Sequence, residues 1–345
     1  MLRLIDANLD RLGEGLRVLG DIARFILEDI QITEKLKSMR HELVTIDPAL
    51  KSRLLAARDS ERNVGRGGAE GARENVIALV TANAKRAQES LRVLEEFAKL
   101  PEMPLELGER NFEQARFALY EIEKEITLRL VRQDKKERIS GLYVIMDTQM
   151  LAGRSEAEVT RQAIKGGARV IQFRDKYRNK RELIPIAQDL KHICAAADVL
   201  FIVNDYIDVA LATDADGVHL GQSDLPVHLA REMLPLNKLI GCSVRTVERA
   251  LEAQAEGADY IGVGSIYPSP TKPDAEVVGL ERLRELKDAT SLPVVALGGI
   301  NEGNVKEALD AGADCIAVIG AVLEAEDIQT ATGRLATKID TMSRC

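Results

Sequence analysis

The chain has 345 residues, a length that suits two domains better than one. Hydrophobic residues make up 46% and charged residues 30% of it, as in soluble globular proteins. The net charge of −8 argues against general nucleic-acid binding, although it allows a local basic pocket.

We expect a cytoplasmic protein that does not associate with membranes. Residues 1–6 lack the apolar stretch and cleavage site of an export signal. No apolar run approaches the roughly 20 residues that are needed to cross a bilayer. The cysteines show no C-x-x-C pair and no nearby histidine at metal-ligand spacing, which favours buried, reduced thiols. They are Cys194, Cys242, Cys315 and Cys345.

Residues 1–132 are predicted to form a mainly helical domain with an internal repeat. Between about Asp6 and Glu28, apolar residues recur at the spacing of an amphipathic helix. Another helix is expected from about Asn111 to Arg132. The repeated residues, each followed 75 positions later by the same residue type, are Ala7, Asn8, Arg11, Glu14 and Leu16–Leu19. Their counterparts are Ala82, Asn83, Arg86, Glu89 and Leu91–Leu94.

Two polar stretches are predicted to connect other parts of the chain. The glycine-rich residues Arg62–Gly71 lie between the two repeats and are predicted to form a loop. The polar residues 133–138 are predicted to link the helical domain to the rest of the chain.

Residues 139–345 show a different pattern, in which short apolar runs alternate with amphipathic helices. Gly167, Gly257 and Gly312 each precede a strand, where a left-handed glycine can end a helix. Eight β/α units predict a (β/α)₈ barrel, so the whole chain is of the α/β class. An open, doubly wound sheet is the alternative. The predicted strands are Leu142–Ile145, Arg169–Phe173, Leu200–Val203, Gly217–Leu220, Leu239–Cys242, Tyr260–Val263, Val294–Leu297 and Cys315–Ile319.

In such a barrel, functional residues lie at the C-terminal ends of the strands. Alternation along a strand puts Gln172, Arg174 and Lys176 on one face and Phe173 on the other. Two carboxylates among several cations predict a site for Mg²⁺ and phosphate, since Mg²⁺ takes few carboxylates and completes its shell with water and phosphate oxygens. The strand-end residues are Gln172, Arg174, Lys176, Asn204, Asp205, His219, Asp224, Ser243, Ser269, Thr271, Lys272, Gly298, Gly299, Asn301 and Gly320.

Purely structural interpretations of several of these residues stay open. Asp205 and Asp224 could each cap a following helix, and His219 could be a packed residue at a strand end. Gly298-Gly299 could be only a tight turn. However, Asn301 after this pair is a good N-cap, and backbone N–H groups at the start of a helix bind phosphate.

Residues 139–345 closely resemble thiamine-phosphate synthases, with the motifs in the family's order. The resemblance implies a transferase that joins 4-amino-5-hydroxymethyl-2-methylpyrimidine diphosphate to a thiazole phosphate and releases thiamine phosphate and pyrophosphate. It also implies a dissociative reaction, in which the pyrimidine diphosphate ionises before the thiazole nitrogen attacks. The matching motifs are Gln172–Lys176, Val203–Asp205, Val218–Asp224, Tyr267–Lys272 and Gly298–Ile300.

The resemblance further implies a role for each site residue. Asp205 and Asp224 would hold Mg²⁺ as the cofactor. Pyrophosphate leaves easily only if its growing charge is neutralised. The catalytic residues that would do so are Arg174, Lys176, Lys272 and Ser243. Gln172 and Asn204 would contact the pyrimidine diphosphate. The thiazole phosphate would be held by Ser269, Thr271, Gly299, Ile319 and Gly320. No general base or nucleophile is needed, and positioning and charge would supply catalysis.

Two positions depart from the family pattern, and two other functions compete with the synthase. Val244 stands where relatives often have a hydroxyl residue, and Gly320 where some have serine. Both affect single hydrogen bonds. A thiazole tautomerase of the same fold is the alternative enzyme, but it would not need both carboxylates and the full basic set. A phosphate-binding regulator is the alternative without catalysis.

The N-terminal domain resembles a helical domain that is fused to some thiamine-phosphate synthases and has been linked to phosphorylation of the pyrimidine monophosphate. The shared features are the helix with Arg11, Glu14 and Arg17, the triplet Arg40-His41-Glu42, and the loop Gly65–Gly71. No Walker-type Gly-Lys-Ser occurs, so a kinase role follows from the resemblance alone.

For this domain, the hypothesis is that the glycine-rich loop with Arg62 or Arg66 binds phosphate. The alternative is a docking or dimerisation module, in which Arg17 and Arg92 are solvated or ion-paired helix charges. The expected partners of the whole chain are phosphorylated pyrimidine and thiazole substrates and, in a homo-oligomer, further copies of itself.

Overall fold

The structure, a computed structural model, describes residues 1–58, 72–108, 110–268 and 276–342. The chain divides into two compact units, residues 1–130 and 131–345. Within the described residues, none of the helices is both long and apolar enough to span a membrane.

The first unit is built from α-helices. Helix α1 begins and ends a few residues earlier than the sequence predicts. The apolar faces of the helices meet in one core, in which Leu12, Leu19, Leu91 and Ile126 are fully buried. The helices are α1 (Leu2–Phe25), α2 (Ile30–Val44), α3 (Pro48–Ala57), α4 (Val76–Phe97), α5 (Leu105–Gly108) and α6 (Phe112–Glu137).

The predicted repeat corresponds to helices α1 and α4. Asn8 and Asn83 occupy equivalent positions, and each donates from Nδ2 to the carbonyl oxygen four residues earlier at 2.8 Å. The two helices pack closely, because a Cβ atom on Gly15 would lie only 2.9 Å from the carbonyl oxygen of Asn83 and 3.1 Å from Cβ of Ala87. Glycine at position 15 therefore allows the helices to approach each other.

The predicted linker is helical. Residues 133–137 continue α6, and this last part of the helix belongs to the second unit. There, Lys135 forms an ion pair with Asp216 at 2.9 Å, and Arg132 lies 3.5 Å from a carboxylate oxygen of Asp259.

The second unit contains a closed barrel of eight parallel strands. Each strand pairs with its neighbours in sequence, and β8 closes the barrel by pairing with β1, with Gly141 opposite Cys315. The predicted barrel is thus confirmed, and the doubly wound alternative is wrong. The strands are β1 (Gly141–Asp147), β2 (Val170–Arg174), β3 (Leu200–Asn204), β4 (Gly217–Leu220), β5 (Leu239–Val244), β6 (Tyr260–Val263), β7 (Val294–Leu297) and β8 (Cys315–Val318).

Helices follow the strands in chain order. Gly167, Gly257 and Gly312 have φ angles of +100°, +93° and +96°, which confirms that left-handed glycines turn the chain into β2, β6 and β8. After a 3₁₀ helix at Thr148–Leu151, the helices are α7 (Glu156–Lys165), α8 (Lys180–Ala196), α9 (Ile207–Ala212), α10 (Val227–Met233), α11 (Val247–Ala255), α12 (Gly279–Ala289), α13 (Val305–Asp310), α14 (Gly320–Leu323) and α15 (Ile328–Met342).

Alternation along the strands divides the buried side chains into two layers. Leu142 and Val144 of β1 pack in the larger core with the surrounding helices, whereas Tyr143 and Ile145 belong to the smaller cluster inside the barrel. Polar residues of that inner layer approach the C-terminal ends of the strands, where the predicted site lies.

Candidate active site

The end of β2 presents the predicted polar face to the inside of the barrel. Gln172 donates from Nε2 to Tyr143 Oη at 2.8 Å, whereas Phe173 packs in the outer core. Arg174 forms an ion pair with Asp147, the last residue of β1. Asp147 is missing from the predicted site, because the sequence places the end of the first strand at Ile145. An acidic residue directly after an apolar run was the signal that could have identified it.

Asp175 fixes the turn between Arg174 and Lys176. Its carboxylate accepts hydrogen bonds from the backbone N–H groups of Tyr177 and Arg178 and from the hydroxyl of Thr148 (2.8–2.9 Å). Burial acts to raise the pKa of Asp175, but these hydrogen bonds outweigh it and lower the pKa. The ionised carboxylate therefore orders the turn that holds Lys176.

The predicted metal ligands Asp205 and Asp224 come together at the ends of β3 and β4. Asp205 forms an ion pair with Lys176, and its carboxyl group lies close enough to that of Asp224 to interact. Burial raises the pKa of Asp205; Lys176 opposes this rise and Asp224 adds to it. Two carboxylates that repel each other in a half-buried place favour a bound cation.

The capping interpretation of both aspartates is wrong. Helix α9 has Tyr206 at its N-cap and α10 has Pro226, and neither receives a side-chain cap bond. The Asp224 carboxylate instead accepts from the backbone N–H of Gly221 at 2.7 Å, which holds it toward the strand end.

The donor set fits Mg²⁺. The described part of the chain has no cluster of three or more histidine, cysteine or acidic residues that could hold a metal. Mg²⁺ needs none, because it is held by one or two carboxylates together with water and substrate phosphates. Asp205 and Asp224 provide such a pair.

A chain of hydrogen bonds crosses the inside of the barrel from Gln172 to Ser243. Tyr143 Oη lies 3.1 Å from Tyr260 Oη, which lies 3.2 Å from His219 Nδ1; His219 Nε2 lies 2.9 Å from Ser243 Oγ. One direction of donation satisfies all of these contacts, with each group accepting from the Gln172 side and donating toward Ser243. In this direction the Ser243 hydroxyl keeps its own proton for another acceptor.

This row of hydrogen bonds could not be recognised in the sequence. His219 is half-buried and packed against the Tyr260 ring, with ring centroids 5.6 Å apart. This agrees with the interpretation of His219 as a packed residue at a strand end. Its hydrogen bonds also give it a positioning function. Burial raises the pKa of both Tyr143 and Tyr260 well above the usual range, so both hydroxyls stay protonated.

Asn204 is a buried polar residue whose side chain points toward the mouth of the barrel. It is 8% exposed, and its amide makes no hydrogen bond with any described residue. Because no fully buried side-chain polar atom lacks a partner in the described residues, the amide must be reachable from the mouth. It is therefore available for a ligand.

A cavity of about 800 Å³ opens at the C-terminal ends of β4–β8. It is large enough for a small-molecule substrate. The predicted strand-end and substrate-binding residues that line it are Ser243, Gly298, Gly299, Asn301, Ile319 and Gly320. Two charged residues that the sequence analysis did not select also line it, namely Arg245 and Glu324. A Cβ atom on Gly320 would lie 2.9 Å from Glu324 Oε1, so the carboxylate occupies the space beside this glycine.

Close packing explains why two glycines follow β7. Gly298 and Gly299 have φ angles of +94° and +69°. A Cβ on Gly299 would lie 2.6 Å from the carbonyl oxygen of Pro268. The pair thus allows the turn to approach the segment after β6. The expectation that Asn301 is an N-cap is wrong, because α13 begins at Val305 with Asn304 at that position.

Several predicted features lie outside the described residues. They are Ser269, Thr271, Lys272, the loop Arg62–Gly71 and Cys345. The prediction of buried, reduced thiols agrees with Cys194 and Cys315, which are free and buried, whereas Cys242 is free but only partly buried. Burial raises the pKa of Cys194 to about 12 and of Cys242 to about 11, so neither is a ready nucleophile.

Arg17 and Arg92 of the helical unit behave as ion-paired helix charges. Arg17 lies 3.8 Å from Asp21, and Arg92 lies 2.8 Å from Glu96, each one turn away on the same helix. For these two arginines the ion-paired interpretation is confirmed.

Comparison with known proteins matches both units. Residues 142–322 match the family described as thiamine monophosphate synthase (TMP-TENI), and residues 3–125 match the ThiD2 family. A solved thiamine phosphate pyrophosphorylase from Pyrococcus furiosus is 45% identical, with a TM-score of 0.56, over 60% of this chain and 98% of that one.

Two relatives match nearly the whole chain, including both units. Thiamine-phosphate synthase of Synechocystis sp. is 38% identical over 98% of this chain and 96% of its own length. That of Thermosynechococcus vestitus is 36% identical over 98% and 94%, respectively. Because one match spans more than half of the chain and these relatives match nearly all of it, the chain belongs to the thiamine-phosphate synthase family.

Proposed function

We propose that the barrel joins 4-amino-5-hydroxymethyl-2-methylpyrimidine diphosphate to a thiazole phosphate by a dissociative, Mg²⁺-assisted reaction. The observation that carries this mechanism is the charge arrangement at the strand ends. Asp205 and Asp224 face each other beside Lys176, and Arg174 lies on the adjacent strand. This arrangement suits a leaving group that gathers negative charge.

In the proposed reaction, the bond between the methylene carbon and the diphosphate oxygen breaks, and its electron pair leaves with the diphosphate. The aminopyrimidine ring stabilises the resulting cation. The lone pair of the thiazole nitrogen then forms the new carbon–nitrogen bond. Because neither step needs a protein nucleophile, the residues act by positioning and by charge.

The diphosphate would be bound by the cations Arg174, Lys176 and Lys272 and by the Ser243 hydroxyl. Both described cations are paired with carboxylates, so a diphosphate would compete with Asp147 for Arg174 and with Asp205 for Lys176. Asp205 and Asp224 would hold Mg²⁺. When bound, the ion would supply positive charge to phosphate oxygens.

The substrate groups would be recognised on two sides of the barrel mouth. The Asn204 amide and Gln172 would face the pyrimidine diphosphate, which the unpartnered amide of Asn204 supports. The cavity at the ends of β4–β8 would take the thiazole phosphate. Gly299, Ile319 and Gly320 lie in its wall, and Ser269 and Thr271 are near its residue Pro268 in sequence. Arg245, which also lines the cavity, would add positive charge.

The test is a reaction of the purified chain with both substrates, with and without Mg²⁺. We expect thiamine phosphate and pyrophosphate in equal amounts and a dependence on the ion. Isomerisation of the thiazole without pyrophosphate release would instead favour the tautomerase. Binding of both substrates without turnover would favour the phosphate-binding regulator.

We also propose that the helical unit phosphorylates the pyrimidine monophosphate with ATP, so that one chain makes and uses the diphosphate. The match to the ThiD2 family supports this role. In this step a monophosphate oxygen attacks the γ-phosphorus of ATP, and ADP leaves. Chromatography of a reaction that contains only the monophosphate, ATP and Mg²⁺ would detect the diphosphate. If no diphosphate forms and no monophosphate binds, the docking or dimerisation role replaces the kinase.

Homo-oligomer formation and a cytoplasmic location remain predictions. Sedimentation equilibrium of the purified chain would test the first, and cell fractionation the second.

A further inference from the structure

A second pocket, of about 540 Å³, lies between α1 and α4 in the helical unit. It is lined almost entirely by polar and charged side chains. They are Asn8, Arg11, Glu14, Arg86, Glu89, Ser90 and Val93.

The polar lining comes from both copies of the internal repeat. Each copy has asparagine, arginine and glutamate three positions apart, at 8, 11 and 14 in α1 and at 83, 86 and 89 in α4. A spacing of three keeps these residues near one face of a helix. The arginine and glutamate of both copies line the same pocket. The two helices together therefore place four charged residues around it.

Two buried polar groups in the pocket are available to a ligand. Ser90 is 2% exposed, and its hydroxyl makes no hydrogen bond with a described residue. Since no fully buried side-chain polar atom in the described chain lacks a partner, Ser90 Oγ must be reachable from the pocket. Asn8 is 7% exposed and uses its Nδ2 on the carbonyl oxygen of Leu4, which leaves its Oδ1 as an acceptor.

The pocket charges differ from the other repeated charges. Arg11, Glu14 and Glu89 form no hydrogen bond or ion pair with any residue that the structure describes. Arg17 and Arg92, which are repeated in the same way but lie outside the pocket, pair with acids on their own helices. Arg17 and Arg92 are thus paired within their own helices, whereas Arg11, Glu14 and Glu89 present both signs of charge to the pocket.

From this arrangement we propose that the α1/α4 pocket binds the aminopyrimidine monophosphate. Arginine would bind the phosphate group, while glutamate and the Asn8 oxygen would accept hydrogen bonds from the amino group. The Ser90 hydroxyl would bond to a phosphate oxygen or a ring nitrogen. This assignment rests on the proposed kinase role of the helical unit, and it places the substrate between the two repeats.

The test uses the full chain with Asp205→Asn, which weakens the barrel site, as the background. Calorimetric titration with the aminopyrimidine monophosphate gives binding, and formation of its diphosphate from ATP gives KM and kcat. We compare Arg11→Gln and Ser90→Ala with Arg17→Gln, which changes an arginine that is also exposed but lies outside the pocket. Thermal unfolding of each variant checks folding.

We expect Arg11→Gln to weaken binding and raise KM by more than about tenfold, and Ser90→Ala by about threefold to tenfold. Arg17→Gln should leave both unchanged. If the background protein binds and phosphorylates the monophosphate but the pocket variants behave like Arg17→Gln, the pocket assignment is wrong and the kinase role stands. If the background protein neither binds nor phosphorylates it, the kinase role fails, and the assignment fails with it.

Discussion

The charged side chains of the barrel mouth and those of the α1/α4 pocket differ in whether they form ion pairs. At the mouth, Arg174 and Lys176 are each paired with a carboxylate from a neighbouring strand or loop. In the pocket, Arg11 and the two glutamates have no such partner among the described residues.

Burial explains the difference. The side chains of Asp147 and Asp205 are 7% and 10% exposed, and a buried charge without a partner costs several kcal/mol. Arg11, Glu14 and Glu89 of the pocket are exposed, so water solvates them. A phosphate at the barrel mouth must therefore replace existing ion pairs, whereas one that binds Arg11 in the helical pocket needs to displace only water. Because a ligand must replace the ion pairs of Arg174 and Lys176, the barrel mouth should be more selective among phosphate ligands than the helical pocket.

The largest expected effect is the loss of synthase activity on Asp205→Asn. Removing one carboxylate of the pair weakens Mg²⁺ binding and charge neutralisation of the leaving group, so kcat/KM should fall by at least about 100-fold. Steady-state pyrophosphate release over a range of Mg²⁺ concentrations measures it. Asp208→Asn, which changes an exposed aspartate paired with Lys180 on the adjacent helix, is the matched control. Equal activity of the two variants would contradict the metal-binding role of Asp205.

A large stability effect is expected for Asp216→Asn in the barrel. Asp216 pairs with Lys135 and Lys191 and accepts from the backbone N–H of Phe201 at 3.0 Å. Its removal leaves two largely buried ammonium groups without a carboxylate partner. The free energy of unfolding at pH 7 should therefore fall by about 3 kcal/mol. Chemical denaturation measures it, and a loss below about 1 kcal/mol would contradict it.

The same variant should change the acid sensitivity of the chain. Burial acts to raise the pKa of Asp216, but Lys135, Lys191 and the hydrogen bonds outweigh it and lower the pKa below the ordinary 3.8. A carboxylate with a lowered pKa stabilises the fold above its unfolded pKa, and this stability is lost as the pH falls through the folded value. The wild type should thus lose stability below about pH 4 more steeply than Asp216→Asn.

A smaller effect is expected for Tyr260→Phe, which interrupts the hydrogen-bond chain between Gln172 and Ser243. Without the tyrosine hydroxyl, His219 Nδ1 loses the hydrogen bond that favours donation from Nε2 to Ser243, so Ser243 loses part of its role as a donor. We expect kcat/KM to fall about tenfold. Tyr177→Phe, at a tyrosine that is 70% exposed, is the control.

A double-mutant cycle separates this role from simple packing. If Tyr260 acts through Ser243, Tyr260→Phe should add little to the loss that Ser243→Ala causes alone. Fully additive losses would instead show that the two residues act independently.

The smallest effect is expected where the helical unit pairs charges on its surface. Asp21→Asn breaks the 3.8 Å contact with Arg17, in which both side chains are more than half exposed. Water solvates both groups after the change, so the free energy of unfolding should stay within about 0.5 kcal/mol of wild type. Denaturation under the conditions used for Asp216→Asn makes the contrast direct. A larger loss would contradict the expectation that exposed ion pairs of the helical unit contribute little to stability, unlike the buried pairs of the barrel.

Most of the polar residues at the strand ends could be predicted from the sequence, but the residues with which they form hydrogen bonds and ion pairs could not. Gln172, Asp205 and Asp224 were predictable, because a polar residue after an apolar run in a β/α repeat must lie at one end of the barrel. Asp147 and Tyr260 were not, because their importance depends on which strands become neighbours. The capping alternatives for Asp205 and Asp224 could not be decided from the sequence, since they depend on where the next helix begins by a residue or two.

By itself, the sequence determined the class of each half, the positions of the strands and the existence of the repeat. These follow from local periodicity and from glycine at left-handed turns. Only the tertiary structure decided that β8 closes against β1, that three side chains link Gln172 to Ser243 through four hydrogen bonds, and that both copies of the repeat line one pocket. Each of these depends on contacts between residues far apart in the chain, whose geometry is set by packing and not by local sequence.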